Sequence, residues 1–164
     1  MVNAPPSTPS ARRLSSTETI PLRHAVLRPD GASIDCVFPG DDDDPTFHAG
    51  VDLDGRIVSI ASIYRESRPL DAAGAAPCGG DHAAGTAWRL RGMATEPGLQ
   101  RTGAGTIALQ ACIAHAREHR GTLAWCNARI EAVGFYEKLG WTVLGTQFDI
   151  PTIGPHLVME LRLG

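Results

Sequence analysis

Residues 99–109 read LQRTGAGTIAL: an amide and a guanidinium, then Gly103 and Gly105, then apolar residues at helical spacing. Residues of these types in this order can hold an anion. A helix that begins after a glycine turn presents several N–H groups ahead of its hydrogen-bonded ladder, together with the positive end of its dipole. Glycines let the backbone approach the anion with no Cβ in the way, and Arg101 adds charge at the rim. Three phosphate loops can be told apart here. A Walker loop ends in Gly-Lys-Ser/Thr, whereas this one continues Gly105-Thr106-Ile107. The run from Gly103 to Ala108 fits G-x-G-x-x-A, but a dinucleotide fingerprint needs a strand leading straight into the first glycine and an acid closing the next strand. TEPGLQRT precedes Gly103, with Pro97 and Gly98 breaking the chain, and the next apolar segment, TLAWCN, ends in Asn127. The loop by itself also fits a helix start that holds nothing.

The elements that must position this loop can be read along the chain. Its 164 residues have a hydrophobic fraction of 43% and a charged fraction of 20%, an ordinary composition for one globular domain. A net charge of −3 offers no broad basic surface, so no nucleic-acid partner is expected. No apolar run approaches the roughly 18 residues that span a bilayer, so no membrane partner is expected either. Cys36, Cys78, Cys112 and Cys126 have no C-x-x-C or zinc spacing. Without a secretory apolar segment they read as free buried thiols in the cytoplasm, with no metal. Residues 1–19, rich in Pro, Ser and Thr, read as a disordered tail. Arg12-Arg13 among the serines lacks the amphipathic pattern of a transit peptide. Residues 20–164 then form a single domain.

Within it, LRHAVLRP (22–29) fits a short helix ending before Pro29. Pro39-Gly40 and the acidic run 41–44 mark a loop, the acids reading as a solvated charged face. FHAGVDLDGRIVSIASIY reads as a hairpin around Asp54-Gly55. The small, Gly-rich stretch 71–85 reads as a mobile loop. AWRLRGMAT (87–95) is a strand, and a helix runs from Gly103 with Arg117, His119 and Arg120 at its cation-favouring end and Gly121 as its cap. A short buried strand (122–127), a second helix (128–139) and two strands (near 141–148 and 156–163) complete the order. This is a mixed α/β domain with a central β-α-β unit.

Gln100 to Gly105, QRTGAG, matches the Q/R-x-x-G-x-G/A loop of the GNAT N-acetyltransferase superfamily, and WCNARIEAVGFYEKLGWTVLG (125–145) resembles the strand, helix and strand that follow it there. The head LRHAVLRP, the acidic run with His48 and the tail IGPHLVM resemble a sparsely characterised branch of that family. The resemblance spans about residues 22–163. It implies a twisted, mostly antiparallel sheet of six or seven strands with about four helices, the strands 87–95 and 122–127 splaying apart at their ends. It implies acetyl-coenzyme A as co-substrate, its pantetheine pairing with the edge at Met93, Ala94 and Thr95. Its pyrophosphate would sit on the N–H groups of Gln100, Arg101, Thr102, Gly103, Ala104 and Gly105. Asn127 is placed to hydrogen-bond the pantetheine amide, or else caps a strand end.

Acetyl transfer from a thioester to a primary amine needs a neutral amine, donors for the oxyanion and a proton for the departing thiolate. An alkyl amine with pKa about 10.4 is neutral in roughly one molecule in 10³ at pH 7. Tyr136, in FYEKLG, matches the family's tyrosine, whose phenol, protonated at pH 7, can donate to sulfur; at helical spacing with Ala132 and Phe135 it also reads as core. Glu96 stands where some members carry a base, with His156 and His48 as alternatives facing the acceptor. Arg91, in an apolar strand, needs a partner if buried and reads as a contact for an acceptor carboxylate or a local acid. Cys126 has no neighbouring base and is not a nucleophile. The expectation is an enzyme acting by direct transfer in a ternary complex on a small-molecule or peptide amine, with a homodimer possible. The alternative is a coenzyme A-binding sensor or interaction module of the same fold. The acceptor is not readable from the residues.

Overall fold

The computed structural model describes residues 8–69 and 85–164. The mobile loop expected over 71–85 lies, all but its last residue, outside them, as does Cys78. The described residues hold seven strands, three α-helices and two 3-10 turns: β1 (Ala11–Leu14), α1 (Ser16–Leu27), a 3-10 turn (Ser33–Cys36), β2 (Phe47–Leu53), β3 (Arg56–Arg65), β4 (Ala87–Thr95), α2 (Ala104–Glu118), β5 (Leu123–Arg129), a 3-10 turn (Ile130–Ala132), α3 (Val133–Lys138), β6 (Thr142–Ile150) and β7 (Gly154–Arg162). The strands form one sheet in the order β1-β2-β3-β4-β5-β7-β6. It is antiparallel at β1–β2, β5–β7 and β6–β7, and parallel where α2 crosses from β4 to β5. The mixed α/β reading with its seven-stranded sheet therefore holds.

The chain divides into two compact units. One contains the chain up to Asp43 with Phe47–Ser62 and Gly92–Cys112; the other contains Asp44–Thr46, Ile63–Arg91 and Ile113–Gly164.

In the first unit, the tail expected to be disordered through residue 19 is structured from residue 11. β1 pairs with β2, Leu14 opposite His48, and Leu14 packs where Gly50 has no Cβ: one built there would come within 2.6 Å of the leucine side chain. Arg12 donates to Asp52 at 2.6 Å and to Glu18 at 3.1 Å. α1 starts six residues before the expected Leu22 because Ser15 and Glu18 form a capping box, each side chain receiving the other's backbone N–H. Both central residues of the β2–β3 turn, Asp54 (φ 52°) and Gly55 (φ 77°), are left-handed, as a two-residue hairpin of matching twist requires.

In the second unit, β5 pairs with β7 over its whole length, and β6 pairs with β7 with a bulge between Leu144 and Phe148. The helix expected over 128–139 is shorter, because β5 runs on to Arg129 and a 3-10 turn intervenes. α2 ends in a Schellman closure, with Gly121 N–H on the Ala116 carbonyl (2.8 Å) and Arg120 N–H on that of Arg117 (3.0 Å). The left-handed residue is Arg120 (φ 59°), not the expected Gly121. Gly121 is small for another reason: a Cβ there would lie 2.7 Å from the Trp88 indole.

Candidate active site

The loop between β4 and α2 is built by local chemistry. Leu99 N–H donates to the Glu96 carbonyl (3.0 Å) and Thr102 Oγ1 to that of Leu99 (2.6 Å). Gly98 (φ 89°), Arg101 (φ 64°) and Gly103 (φ 94°) take left-handed conformations that bend the chain into α2. The helical ladder opens with Ile107 N–H on the Gly103 carbonyl at 3.0 Å, so the N–H groups of Ala104, Gly105 and Thr106 precede it. No acid stands in the first turn of α2 to neutralise the dipole. A Cβ built on Gly103 meets no atom within 4 Å, so the space in front of this turn is open. These features fit a bound pyrophosphate.

The strand leading to the loop is held in the same unit. Ser59 Oγ and Thr95 Oγ1 share a hydrogen bond of 2.8 Å, and Glu96 N–H donates to the Val58 carbonyl at 2.8 Å. Gly92 is left-handed (φ 64°), and a Cβ on it would stand 2.9 Å from Arg23 Nε and 3.1 Å from the Phe38 ring. The β4–β5 register covers only Ala87–Arg89 against Leu123–Trp125. Met93, Ala94 and Thr95 lie beyond the end of that pairing.

Arg23 is the residue that sequence reasoning missed. It is fully buried, bonded through Nη1 to Asp41 Oδ2 (2.7 Å) and the Cys36 carbonyl (2.9 Å), and through Nη2 to Asp41 Oδ1 (3.0 Å) and Ser62 Oγ (3.0 Å), with its guanidinium carbon 4.2 Å from the centre of the Phe38 ring. The acidic run is therefore not wholly a solvated face: Asp41 is buried in this bidentate pair. His48 belongs to the same network. Its Nδ1 bonds Ser62 Oγ (2.7 Å) and its Nε2 the Asp41 carbonyl (2.8 Å), and burial lowers its pKa below the ordinary 6.5. Both ring nitrogens are committed, so His48 braces the network instead of facing an acceptor. Glu96 is ion-paired with Arg56.

In the second unit the cross-strand pairs place Trp125, Asn127 and Arg129 of β5 on one face with Glu160, Val158 and His156 of β7. Asn127 and His156 thus share a face in neighbouring rows. His156 is buried, with Nδ1 on the Gly154 carbonyl (2.8 Å) and its ring 6.0 Å from that of Phe148. Tyr136 is buried in α3, its ring 5.2 Å from Phe135 and 5.3 Å from Trp141. Arg91 lies with its guanidinium carbon 5.7 Å from the Tyr64 ring centre. Cys126 is buried, and desolvation raises its thiol pKa far above the ordinary range, which removes the thiolate a covalent route would need.

Residues 14–141 match the acetyltransferase (GNAT) family. The chain is 38% identical over 152 residues to the uncharacterized N-acetyltransferase YitI of Bacillus subtilis, covering 93% of this chain and 95% of that one. The chain belongs to the GNAT acetyltransferase family. Among solved structures, this acetyltransferase superposes on a putative N-acetyltransferase from Lactobacillus plantarum with a TM-score of 0.70 at 19% identity, over 96% of this chain and 100% of that one. It superposes on an aminoglycoside 6'-N-acetyltransferase complexed with coenzyme A with a TM-score of 0.69 at 10% identity, over 94% and 97%. The chain is an N-acetyltransferase, and its family uses acetyl-coenzyme A. Among the described residues no helix of the acetyltransferase is long and apolar enough to cross a membrane, and no His/Cys/Asp/Glu cluster could hold a metal ion.

Proposed function

We propose that the protein transfers the acetyl group of acetyl-coenzyme A directly to a primary amine in a ternary complex. The observation that carries this reading is the start of α2: three N–H groups ahead of the ladder, no acid in the first turn and open space at Gly103. When bound, the coenzyme supplies the thioester carbonyl that the amine attacks. Ala104, Gly105 and Thr106 hold the pyrophosphate, with Gln100 to Gly103 shaping the turn and Arg101 adding charge. The edge at Met93, Ala94 and Thr95 pairs with the pantetheine, and Asn127 hydrogen-bonds its amide.

Tyr136 gives its phenolic proton to the departing sulfur. Glu96, oriented by Arg56, accepts the proton of the amine. His156 is a second reading for the base: an Nδ1–H donated to the Gly154 carbonyl leaves the lone pair on Nε2. Arg91 contacts the acceptor.

Acetyl-coenzyme A at about 100 times its Kd should add about 2.7 kcal/mol to stability, read as a raised Tm, while NADH should not. A shift with NADH alone contradicts the reading. Tyr136→Phe should lower kcat about 10²-fold with little change in the Kd for acetyl-coenzyme A; full activity across pH would leave Tyr136 as core only.

A further inference from the structure

Four ionisable side chains of the second unit meet at the row where the β4–β5 register ends. That row places Arg89 beside Trp125, and Trp125 opposite Glu160. Trp125 is fixed in plane by its indole N–H on the Glu66 carbonyl (2.8 Å), and Arg89 lies over its ring at 4.9 Å while donating through Nη1 to Glu66 Oε1 (2.9 Å). Arg68 completes the group. Its side chain is 7% exposed, and its Nε stands 3.9 Å from Glu160 Oε2, too far for a hydrogen bond. Arg68 Nε and Nη1, and Arg89 Nε, are buried with no hydrogen-bond partner among the described residues.

We infer that the amine acceptor is a small amino acid whose carboxylate is received by Arg68 and Arg89 on this face. The inference rests on the acetyl-transfer reading and names its acceptor class. Buried guanidinium donors are costly unless something accepts from them, and a group of them left without an acceptor calls for an explanation. A carboxylate supplies acceptor oxygens of the geometry and charge that guanidinium groups favour. The acids set the charge of the ligand. Glu66 and Glu160 stand beside Arg68 and Arg89, so the group as a whole is neutral. A dianionic phosphate would meet two carboxylates, whereas the single charge of an amino acid's carboxylate is matched by the arginines and leaves its amine free to reach the thioester. From Trp125 the face continues to Asn127 on β5, past the end of the β4–β5 register.

The test is a matched panel of L-amino acids, their α-amides, their decarboxylated amines and O-phosphoethanolamine, each given to the wild-type protein with acetyl-coenzyme A while thiol release is followed. At least one amino acid should be acetylated, with kcat/KM about 10²-fold above that of its own amide and decarboxylated amine, the size expected for a hydrogen-bonded charge contact. Arg68→Gln should raise KM for that acid about 10²-fold, leave the Kd for acetyl-coenzyme A unchanged and abolish the preference over the amide. Arg68→Lys should recover part of the loss. Equal rates for acid and amide overturn the inference. So does turnover only of neutral amines or of O-phosphoethanolamine, or no turnover of any acid in protein whose Tm acetyl-coenzyme A raises. Should Arg68→Gln fail to fold, the wild-type panel decides. Failure of acetyl-coenzyme A to raise Tm is a different result and strikes the acetyl-transfer reading. In that case the amino acids alone are added: an Arg68-dependent rise in Tm upholds the carboxylate site, and its absence removes it.

Discussion

Arg23, in the unit that carries the α2 loop, and Arg68, in the unit that carries β5 and β7, both have side chains largely shielded from solvent and both have a carboxylate for a neighbour. Arg23 gives bidentate bonds to Asp41 at 2.7 and 3.0 Å and further bonds to the Cys36 carbonyl and Ser62, with Phe38 against its face. Arg68 stands 3.9 Å from Glu160, with two of its nitrogens lacking any acceptor among the described residues. Burying a guanidinium is tolerated when geometry and hydrogen bonds repay its lost hydration. The first arginine meets that condition through both Nη nitrogens, each bonded inside the protein, and serves structure beside Gly92 and the strand that runs to Met93, Ala94 and Thr95. The second does not meet it among the described residues, and the inferred acceptor carboxylate is what would receive its donors.

The largest effect expected from this contrast is on stability. Arg23→Met strands Asp41 as an uncompensated buried charge and should cost about 3–5 kcal/mol, measured by urea denaturation. Arg68→Gln leaves Glu160 buried, but the pair it breaks stands at 3.9 Å with no hydrogen bond, so its cost should be smaller, about 1–2 kcal/mol. Equal losses in the two variants would break the contrast.

A smaller effect sharpens the structural half. Burial lowers the His48 pKa in the native state, while in the unfolded chain it returns to about 6.5. Below that value the unfolded state takes up a proton that the native state refuses. The stability contributed by neutral His48 is therefore complete above about pH 6.5 and is lost as pH falls toward and through the native pKa. Between pH 7 and 5 the wild-type unfolding free energy should fall more steeply than that of His48→Gln, by up to about 1.4 kcal/mol per pH unit. Parallel slopes in denaturation series across that range would mean that His48 is not held neutral by the network.

What could be read from the sequence follows from what kind of signal each feature leaves. The β2–β3 hairpin was legible because Asp54-Gly55 is a local turn preference flanked by apolar runs. The α2 loop was legible because its glycines and following apolar spacing are local too. The start of α1 was misplaced although Ser15-Ser16-Thr17-Glu18 spells a capping box; the surrounding Pro, Ser and Thr read as tail composition and hid it. β1 could not be seen at all, because four residues become a strand only through pairing with β2. Asp41 read as solvated because its partner lies 18 residues earlier in the chain, and nothing local links an acidic run to an arginine in a helix. The same holds for Arg68 and Glu160, which lie far apart in the chain and meet only in the folded unit. Family likeness is the signal that points to Tyr136, Asn127 and the loop as site candidates; it also points to His48 as a contact for the acceptor, where the structure commits both ring nitrogens to Ser62 and Asp41.

The proposed anion site at the start of α2 can be measured directly through two glycines of the same loop. Gly98 (φ 89°) and Gly103 (φ 94°) are both left-handed, and a Cβ on either meets nothing within 4 Å. Alanine at either position pays the same backbone strain, roughly 1–2 kcal/mol, so strain cancels in the comparison. Only at Gly103 does the new methyl stand where the backbone N–H groups must approach a pyrophosphate. Titration calorimetry with acetyl-coenzyme A should show Gly103→Ala weakening the Kd by about tenfold or more, and Gly98→Ala leaving it within about twofold. Equal affinities in the two variants, whether both lost or both retained, would contradict a coenzyme seated on the α2 N-terminus.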